Sequence, residues 1–445
     1  MKKRRLLLVN PVNTARTGFS INDSSRFPPI GLGIVASLTP DTWDVTLVDE
    51  NFESFTYRDA DLVGITAFTS AANRAYEIAK LYRSRNIPVV MGGIHASMCM
   101  SEALEFVDSV VVGEAESVWG KVLADAEEGK LQRTYQGQWL EPSKFRAPRR
   151  DVYHSGYLFA SIQTSRGCPM DCDFCSVTSY NGRRYRRRPV EHVLDELETI
   201  SSNRLFFVDD NIIGYGAESR KQALDLFQGM VERKINKLWF CQASINIADD
   251  EEVLEWAARA GCRMIFLGIE SEDIDALTEV NKRLNLKRGP DSYRQLFDRI
   301  HHAGIAVLGA FIFGMDGDTP EKLRKRAEFM LESGVDVMQL TTMTPLPGTP
   351  LFDRLRSEGR LLFTDFPRDW GRYDLTELVH HPKELQRDEL WSEIVQCMQQ
   401  VYSLETLKFK AERTLKATGS WEATEFAYRA NMNYRNIGVA NGTVI

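Results

Sequence analysis

Short apolar runs alternate with stretches of helical period along most of this chain, and that alternation limits the fold more than any other feature. Within residues 1–138 the runs are Leu6–Asn10, Asp44–Val48, Leu62–Thr66, Pro88–Met91 and Ser109–Val112, with helical patterns at Ile30–Leu38 and Ala71–Arg83. Continuous apolar runs of this kind suit the central strands of a parallel sheet, which are covered on both faces. Repeated strand–helix alternation then predicts a doubly wound α/β domain. Ligands of such sheets bind outside the carboxyl ends of the strands. Thr66, Ser70, Gly92, Gly93 and Glu114 all lie there.

Residues 139–156 carry two prolines and the basic residues Arg146, Arg149 and Arg150 with no visible period, so they read as a linker. Six further runs follow within residues 157–345, each trailed by a helical stretch: Leu158–Thr164, Leu205–Val208, Leu238–Ser244, Met264–Ile269, Ile305–Phe313 and Val335–Thr341. Six βα units predict a partial (β/α)6 TIM-type barrel. Reactive groups of such barrels collect at the carboxyl strand ends. Those ends hold a cysteine cluster, Asp209-Asp210-Asn211, Gln242 to Ser244, Glu270-Ser271, Gly314 to Asp316, and Met343 to Pro345. Residues 346–445 open with prolines and continue as a mostly helical region, with long helical patterns over 383–417 and 421–434. Tyr373, His380 and His381 are open between pocket and packing roles.

The cluster is Cys168, Cys172 and Cys175, spaced C-x3-C-x2-C. Three thiolates on so short a loop can reach one metal centre. Structural zinc takes four ligands, which would require His154 or His192 to complete the set. A 4Fe–4S cube held by three thiolates keeps one iron open, and such clusters are bound by Cys.

With an aromatic, Phe174, just before the third Cys, this motif resembles the signature of the radical S-adenosylmethionine (SAM) enzymes. The resemblance implies a 4Fe–4S cluster on Cys168, Cys172 and Cys175. It implies SAM on the open iron and one-electron cleavage to a 5′-deoxyadenosyl radical. It places Phe174, Asp209, Asp210, Ser244 and Glu270 around SAM; helix capping is the competing role for the two aspartates. The first region resembles the Rossmann-like cobalamin-binding domain that precedes the barrel in one branch of that family. The matching pieces are Phe27-Pro28-Pro29-Ile30-Gly31-Leu32, Leu47-Val48-Asp49, Val63-Gly64-Ile65-Thr66, Gly92-Gly93-Ile94-His95 and Val111-Val112-Gly113-Glu114-Ala115-Glu116. That likeness implies cobalamin at Thr66, Ser70, Gly92, Gly93 and Glu114. The histidine that ligates cobalt in the wider fold is absent after the first strand, where the chain reads Pro11-Val12-Asn13. His95 stands at another corner, as a helix-start or packing residue. The resemblance also makes residues 346–445 a substrate-shaping region.

The implied activity is radical C-methylation of an unactivated carbon in a lipid, tetrapyrrole or natural product. Radical cyclisation, C–C coupling or rearrangement without methyl transfer is the alternative within the family. A non-catalytic cobalamin- or metal-binding protein is the alternative outside it, and a carrier needs no polar barrel mouth. A methylthiotransferase would carry further cluster cysteines in its first domain, where Cys99 stands alone. An electron donor resembling flavodoxin or ferredoxin is implied as partner. The net charge of −7 argues against nucleic acid. The run Arg183 to Arg188 then reads as salt bridges or an anion site at the barrel entrance. Seven cysteines without a disulfide pattern suit a reducing compartment, the cytoplasm. The apolar run after Met1-Lys2-Lys3 is too short for a signal peptide and reads as a strand, and no run reaches a membrane span.

Overall fold

The computed structural model describes residues 3–16 and 26–445. The first sheet holds β1 (Arg4–Asn10), β2 (Trp43–Asp49), β3 (Leu62–Thr66), β4 (Val89–Gly92), β5 (Ser109–Val112) and β6 (Thr134–Gln136). Its order is β2-β1-β3-β4-β5-β6, and every pair is parallel. Side chains alternate across the sheet: Leu7 and Val9 join one buried cluster, while Leu6 and Leu8 join another on the opposite face. Helices Ala72–Arg83 and Ile30–Leu38 supply the covering residues, among them Tyr76 and Ala79 on one side and Leu32 and Ala36 on the other. Strand order reverses between β1 and β3, which makes the crevice at their carboxyl ends the switch point of the fold. The sixth strand has no counterpart among the sequence expectations. It is three residues long with only Tyr135 buried, too short to display a period.

The second sheet holds β7 (Ala160–Ile162), β10 (Arg204–Phe207), β11 (Leu238–Ala243), β12 (Cys262–Glu270), β13 (Ala306–Phe313) and β14 (Val337–Thr342), in the order β14-β13-β12-β11-β10-β7. All its pairs are parallel, and no ladder joins β7 to β14, so this is an open six-stranded barrel. Between β7 and β10, β8 (Ser165–Arg166) and β9 (Arg186–Arg187) form a two-residue antiparallel ladder. Thr319 accepts from the Lys322 amide at 3.3 Å and caps helix Pro320–Glu332, as its place before a proline implies.

Three long helices end the chain, Arg387–Val401, Leu404–Thr418 and Trp421–Ala440. Phe426 of the last packs on Phe159 and Phe240 and closes the floor of the barrel. The irregular stretch before them ties the barrel to the first domain. Trp370 Nε1 donates to Glu102 at 3.0 Å, Asn13 Nδ2 donates to the Gly371 carbonyl at 2.8 Å, and Arg16 pairs with Asp374 at 3.0 Å. Among the described residues, no helix is long and apolar enough to cross a membrane.

Candidate active site

The three cysteines sit on the loop that leaves β8 and returns through β9. Gly167, at φ +93°, makes the turn into this loop, and a Cβ there would lie 2.3 Å from the Arg184 carbonyl. The Cys168 amide donates to the Gly182 carbonyl at 3.1 Å, and the Cys175 amide to the Cys172 carbonyl at 3.1 Å. All three thiols open into one cavity of about 380 Å³ at the carboxyl ends of the barrel strands. Phe174, Asp210, Ser244 and Glu270 line the same cavity, together with Gln242, Phe266, Lys282, Ala310, Gln339, Thr341 and Leu375.

A local irregularity aims Glu270. The β12–β13 register shifts between Gly268 and Glu270, so Ile269 is an extra residue. Such a bulge re-aims the following side chain. Glu270 takes φ +64°, a sparsely populated conformation for a residue with a side chain. Its Oε1 accepts from Lys282 Nζ at 2.5 Å. Gly268 makes room for the pair: a Cβ there would lie 2.5 Å from Glu270 Oε1 and 2.7 Å from Lys282 Nζ. Burial disfavours the charged ammonium of Lys282, but the Glu270 carboxylate and the nearby Cys172 sulfur outweigh it and raise its pKa. Lys282 Nζ lies 5.9 Å from the Phe174 ring centroid. Ser244 Oγ accepts from Asn211 Nδ2 at 2.9 Å, and that amide also reaches Tyr185 Oη at 3.1 Å.

The two aspartates after β10 part company. Asp210 faces the cavity, where Gly167 N and Asn181 Nδ2 each donate to it at 3.3 Å; burial, then the charge of Asp209, pushes it up to about 6. Asp209 is turned away. It accepts from the Thr164 amide at 3.1 Å, from Thr164 Oγ1 at 2.8 Å and from Ser165 Oγ at 2.6 Å. The structure therefore gives Asp209 a place in holding β7 to the cysteine loop, away from the cavity where it was expected. Glu114 differs in the same way. It is buried at the end of β5, accepting from Arg186 Nη2 at 2.6 Å and the Leu140 amide at 3.0 Å and pairing with Arg166 at 3.2 Å. Burial works to raise its pKa, but the Arg186 hydrogen bond and Arg166 charge together hold it below the ordinary carboxylate value. Its carboxylate is committed to the barrel's arginines rather than open to a ligand.

Thr66, Ser70, Gly92 and Gly93 do stand at the carboxyl ends of β3 and β4. A Cβ on Gly93, at φ +87°, would lie 2.4 Å from Thr66 Oγ1, so the close approach of these turns requires glycine. Between them Phe68 presents an apolar ring that is 76% exposed. His95 is fully buried, with Nε2 3.1 Å from Tyr76 Oη and Nδ1 3.4 Å from Thr69 Oγ1, which is a packing role. Tyr373 donates to the Phe363 carbonyl at 2.7 Å and His380 to the Gly314 carbonyl at 3.1 Å; both are buried outside the cavity wall, and His381 is exposed. Burial lowers His380 to about 4.

Four arginines of the run are engaged within the chain, and Arg184 is exposed. Arg183 pairs with Asp171 at 2.6 Å, Arg186 with Glu114, Arg188 with Glu196 at 2.7 Å, and Arg187 donates to the Ile212 carbonyl at 3.2 Å. Lys282 was not foreseen, because it sits between two short helices rather than at a strand end. Tyr185 was missed as one aromatic inside that arginine run.

Three thiols sharing a cavity with a buried acid–base pair mark a cofactor-dependent enzyme. The family model of the Radical SAM superfamily matches residues 162–357, and that of the B12 binding domain matches residues 20–123. The hopanoid C-2 methylase of Rhodopseudomonas palustris is 33% identical over 387 residues, which cover 81% of this chain and 72% of that protein. The bacteriochlorophyllide d C-12(1)-methyltransferase of Chlorobaculum tepidum is 29% identical over 416 residues, covering 90% of this chain and 88% of that one. The fold is also that of the radical SAM methyltransferase TsrM from Kitasatospora setae, at TM-score 0.71 and 20% identity, over 89% of this chain and 88% of that one. The chain belongs to the radical SAM superfamily, in the branch that carries a B12-binding domain, and it is an enzyme.

That branch uses a 4Fe–4S cluster, SAM and cobalamin, and the residues present fit each. Among the described residues, no three His, Cys, Asp or Glu side chains converge as they would on a single metal ion. Neither His154, stacked on Phe52 at 4.2 Å, nor His192 lines the cavity, so the zinc alternative lacks its fourth ligand there. The donor set is instead three thiols that line one cavity. Burial raises all three thiol pKa values, Cys175 to about 12; a bound metal reverses that by deprotonating its ligands. For SAM, the cavity offers carboxylates, an ammonium and an aromatic face. For a corrin, the exposed Phe68 ring and the glycine turns flank the switch crevice.

Proposed function

We propose that this enzyme methylates an unactivated carbon of a mostly apolar small molecule, a lipid or tetrapyrrole, using SAM and cobalamin. Cys168, Cys172 and Cys175 hold the cluster, and their shared place in the lining of one strand-end cavity carries the reading. When bound, the cluster and SAM supply one-electron radical chemistry and cobalamin supplies a transferable methyl group. The chain's own residues bind, orient and shield. Glu270 accepts hydrogen bonds from the amino or hydroxyl groups of SAM while Lys282 holds its carboxylate in place. Asp210 and Ser244 add polar contacts, and Phe174 supplies an apolar face. Phe266, Ala310, Ile312, Met343 and Leu346 make the rest of the wall largely apolar, which suits an apolar substrate and excludes water. Thr66, Ser70, Gly92 and Gly93 would flank a bound corrin at the strand ends of the first domain. A flavodoxin- or ferredoxin-like protein supplies the electron, and the cytoplasm, a reducing compartment, suits the free cysteines.

Anaerobic reconstitution with iron, sulfide and hydroxocobalamin tests this. With SAM, reductant and a panel of hopanoid and tetrapyrrole substrates, we expect methionine, 5′-deoxyadenosine and S-adenosylhomocysteine together. Methionine and 5′-deoxyadenosine without S-adenosylhomocysteine or bound corrin would instead establish radical cyclisation or rearrangement.

A further inference from the structure

The ladder β8–β9 is the neck of the cysteine loop, and Arg166 and Arg186 are directly paired across it. Both reach out of the barrel to the first domain. Arg166 pairs with Glu116 at 2.7 Å and with Glu114 at 3.2 Å, and Arg186 pairs with the same Glu114 oxygen at 2.6 Å. The side chains of Arg166, Glu114 and Glu116 are 8%, 6% and 6% exposed, so the pairs are buried. The connecting segment wraps them: the Phe145 ring lies 4.2 Å from the Arg166 guanidinium, and Trp139 lies 5.4 Å from that of Arg186. Backbone geometry holds the acids in place. Gly113 turns the end of β5 at φ +75°, and a Cβ on Gly137 would lie 2.1 Å from the Glu114 carbonyl.

We infer that Glu114 and Glu116 of the first domain are positioning residues for the cluster loop, clamping its neck through Arg166 and Arg186. The loop thereby takes its shape from a domain other than its own. A ligand at the carboxyl strand ends of the first domain and the three cysteines are held at a fixed separation by the same carboxylates. Buried charge pairs serve this purpose well, because removing one partner strands the other without a counter-ion. Arg186 Nε and Nη1 are buried without partners, so Glu114 is the side chain that answers its charge.

The inference rests on the cysteines being cluster ligands, and the test separates the two. Glu114→Gln, Glu116→Gln, the double variant Glu114→Gln/Arg186→Gln, which leaves the Arg166–Glu116 pair in place, and an exposed control, Glu191→Gln, are compared with wild type. In metal-free protein, hydrogen–deuterium exchange over 165–187 rises by about tenfold or more in Glu114→Gln, the scale of one lost charged hydrogen bond. Exchange in β12–β14 stays unchanged, which separates a local clamp from general destabilisation. In reconstituted protein, the half-life of bound iron against a chelator falls by a similar factor. The double variant is no worse than the single one, as for residues acting as a unit. Should Glu114→Gln fail to fold, Glu116→Gln, which loses only its Arg166 contact, gives the same local change at smaller size. Unchanged exchange and iron lifetime in both single variants would overturn the clamp. A wild type that binds no iron would overturn the proposed function, while exchange in the metal-free chains still decides the clamp.

Discussion

The two ends of the barrel both hold polar groups, buried at the floor and, Glu270 apart, partly exposed at the mouth, and use them in opposite ways. At the floor, the buried Asp336 and Lys410 each have several close partners. Asp336 accepts from the Val307 amide and Thr414 Oγ1, each at 2.7 Å, and shares a 2.7 Å hydrogen bond with His301 Nε2. Lys410 Nζ donates to the Met330 and Val335 carbonyls at 2.7 and 2.8 Å. At the same end Phe206 and Phe240 stack at 4.3 Å, with Phe27, Phe159 and Phe426 around them. At the mouth, Asp210 has two long contacts, Glu270 has one partner, and three thiols face open space. Buried charge therefore does not mark the site. Convergence of partly answered groups on an open volume does.

The comparison breaks most sharply at Cys172. Cys172→Ala is expected to abolish cluster retention and SAM cleavage, while the fold loses no more than about 1 kcal/mol, as for a half-exposed side chain. Cluster loss with cleavage intact would contradict the site. The floor should behave in reverse. Phe240→Ala is expected to cost about 3–5 kcal/mol in urea unfolding and leave iron per folded chain unchanged.

Within the mouth, Glu270→Gln strands the buried Lys282 and should weaken SAM binding roughly 10- to 100-fold by calorimetry, the scale of one charged hydrogen bond. Asp209→Asn should cost stability instead, about 1–3 kcal/mol, with SAM affinity kept. An effect of Asp209→Asn on SAM affinity alone would put that carboxylate back in the cavity.

A further effect belongs to pH at the floor. Burial lowers Lys410 to about 7. Its unfolded value is about 10.4, so between these the unfolded chain binds a proton that the folded chain does not. Stability from this group therefore rises with pH between 7 and 9, by at most about 1.4 kcal/mol per unit. Lys410→Met should flatten that part of the pH–stability curve.

Much of this was legible in the sequence. Apolar runs located eleven of the strands, because a strand buried on both faces leaves a continuous signature. Spacing alone brought the three cysteines to one loop, and the strand-end rule picked out Asp210, Ser244 and Glu270, which line the same cavity. The rule is blind to which way a residue at a strand end points. Asp209 and Asp210 are neighbours with the same carboxylate, yet one serves Thr164 and Ser165 and the other the cavity. Glu114 sits where a ligand contact was expected, but its partners Arg166 and Arg186 come from another domain, and no local pattern announces them. Lys282 reaches the cavity from a turn between helices Ile274–Glu279 and Arg283–Arg288, where periodicity carries no information.

The most direct test of the mouth as a cluster and SAM site is electron paramagnetic resonance of the reconstituted, dithionite-reduced protein with and without SAM. Wild type is expected to give a 4Fe–4S signal that changes shape when SAM is added and is missing in Cys172→Ala. A wild type without iron, or a Cys172→Ala protein with the same SAM-sensitive signal, would contradict it.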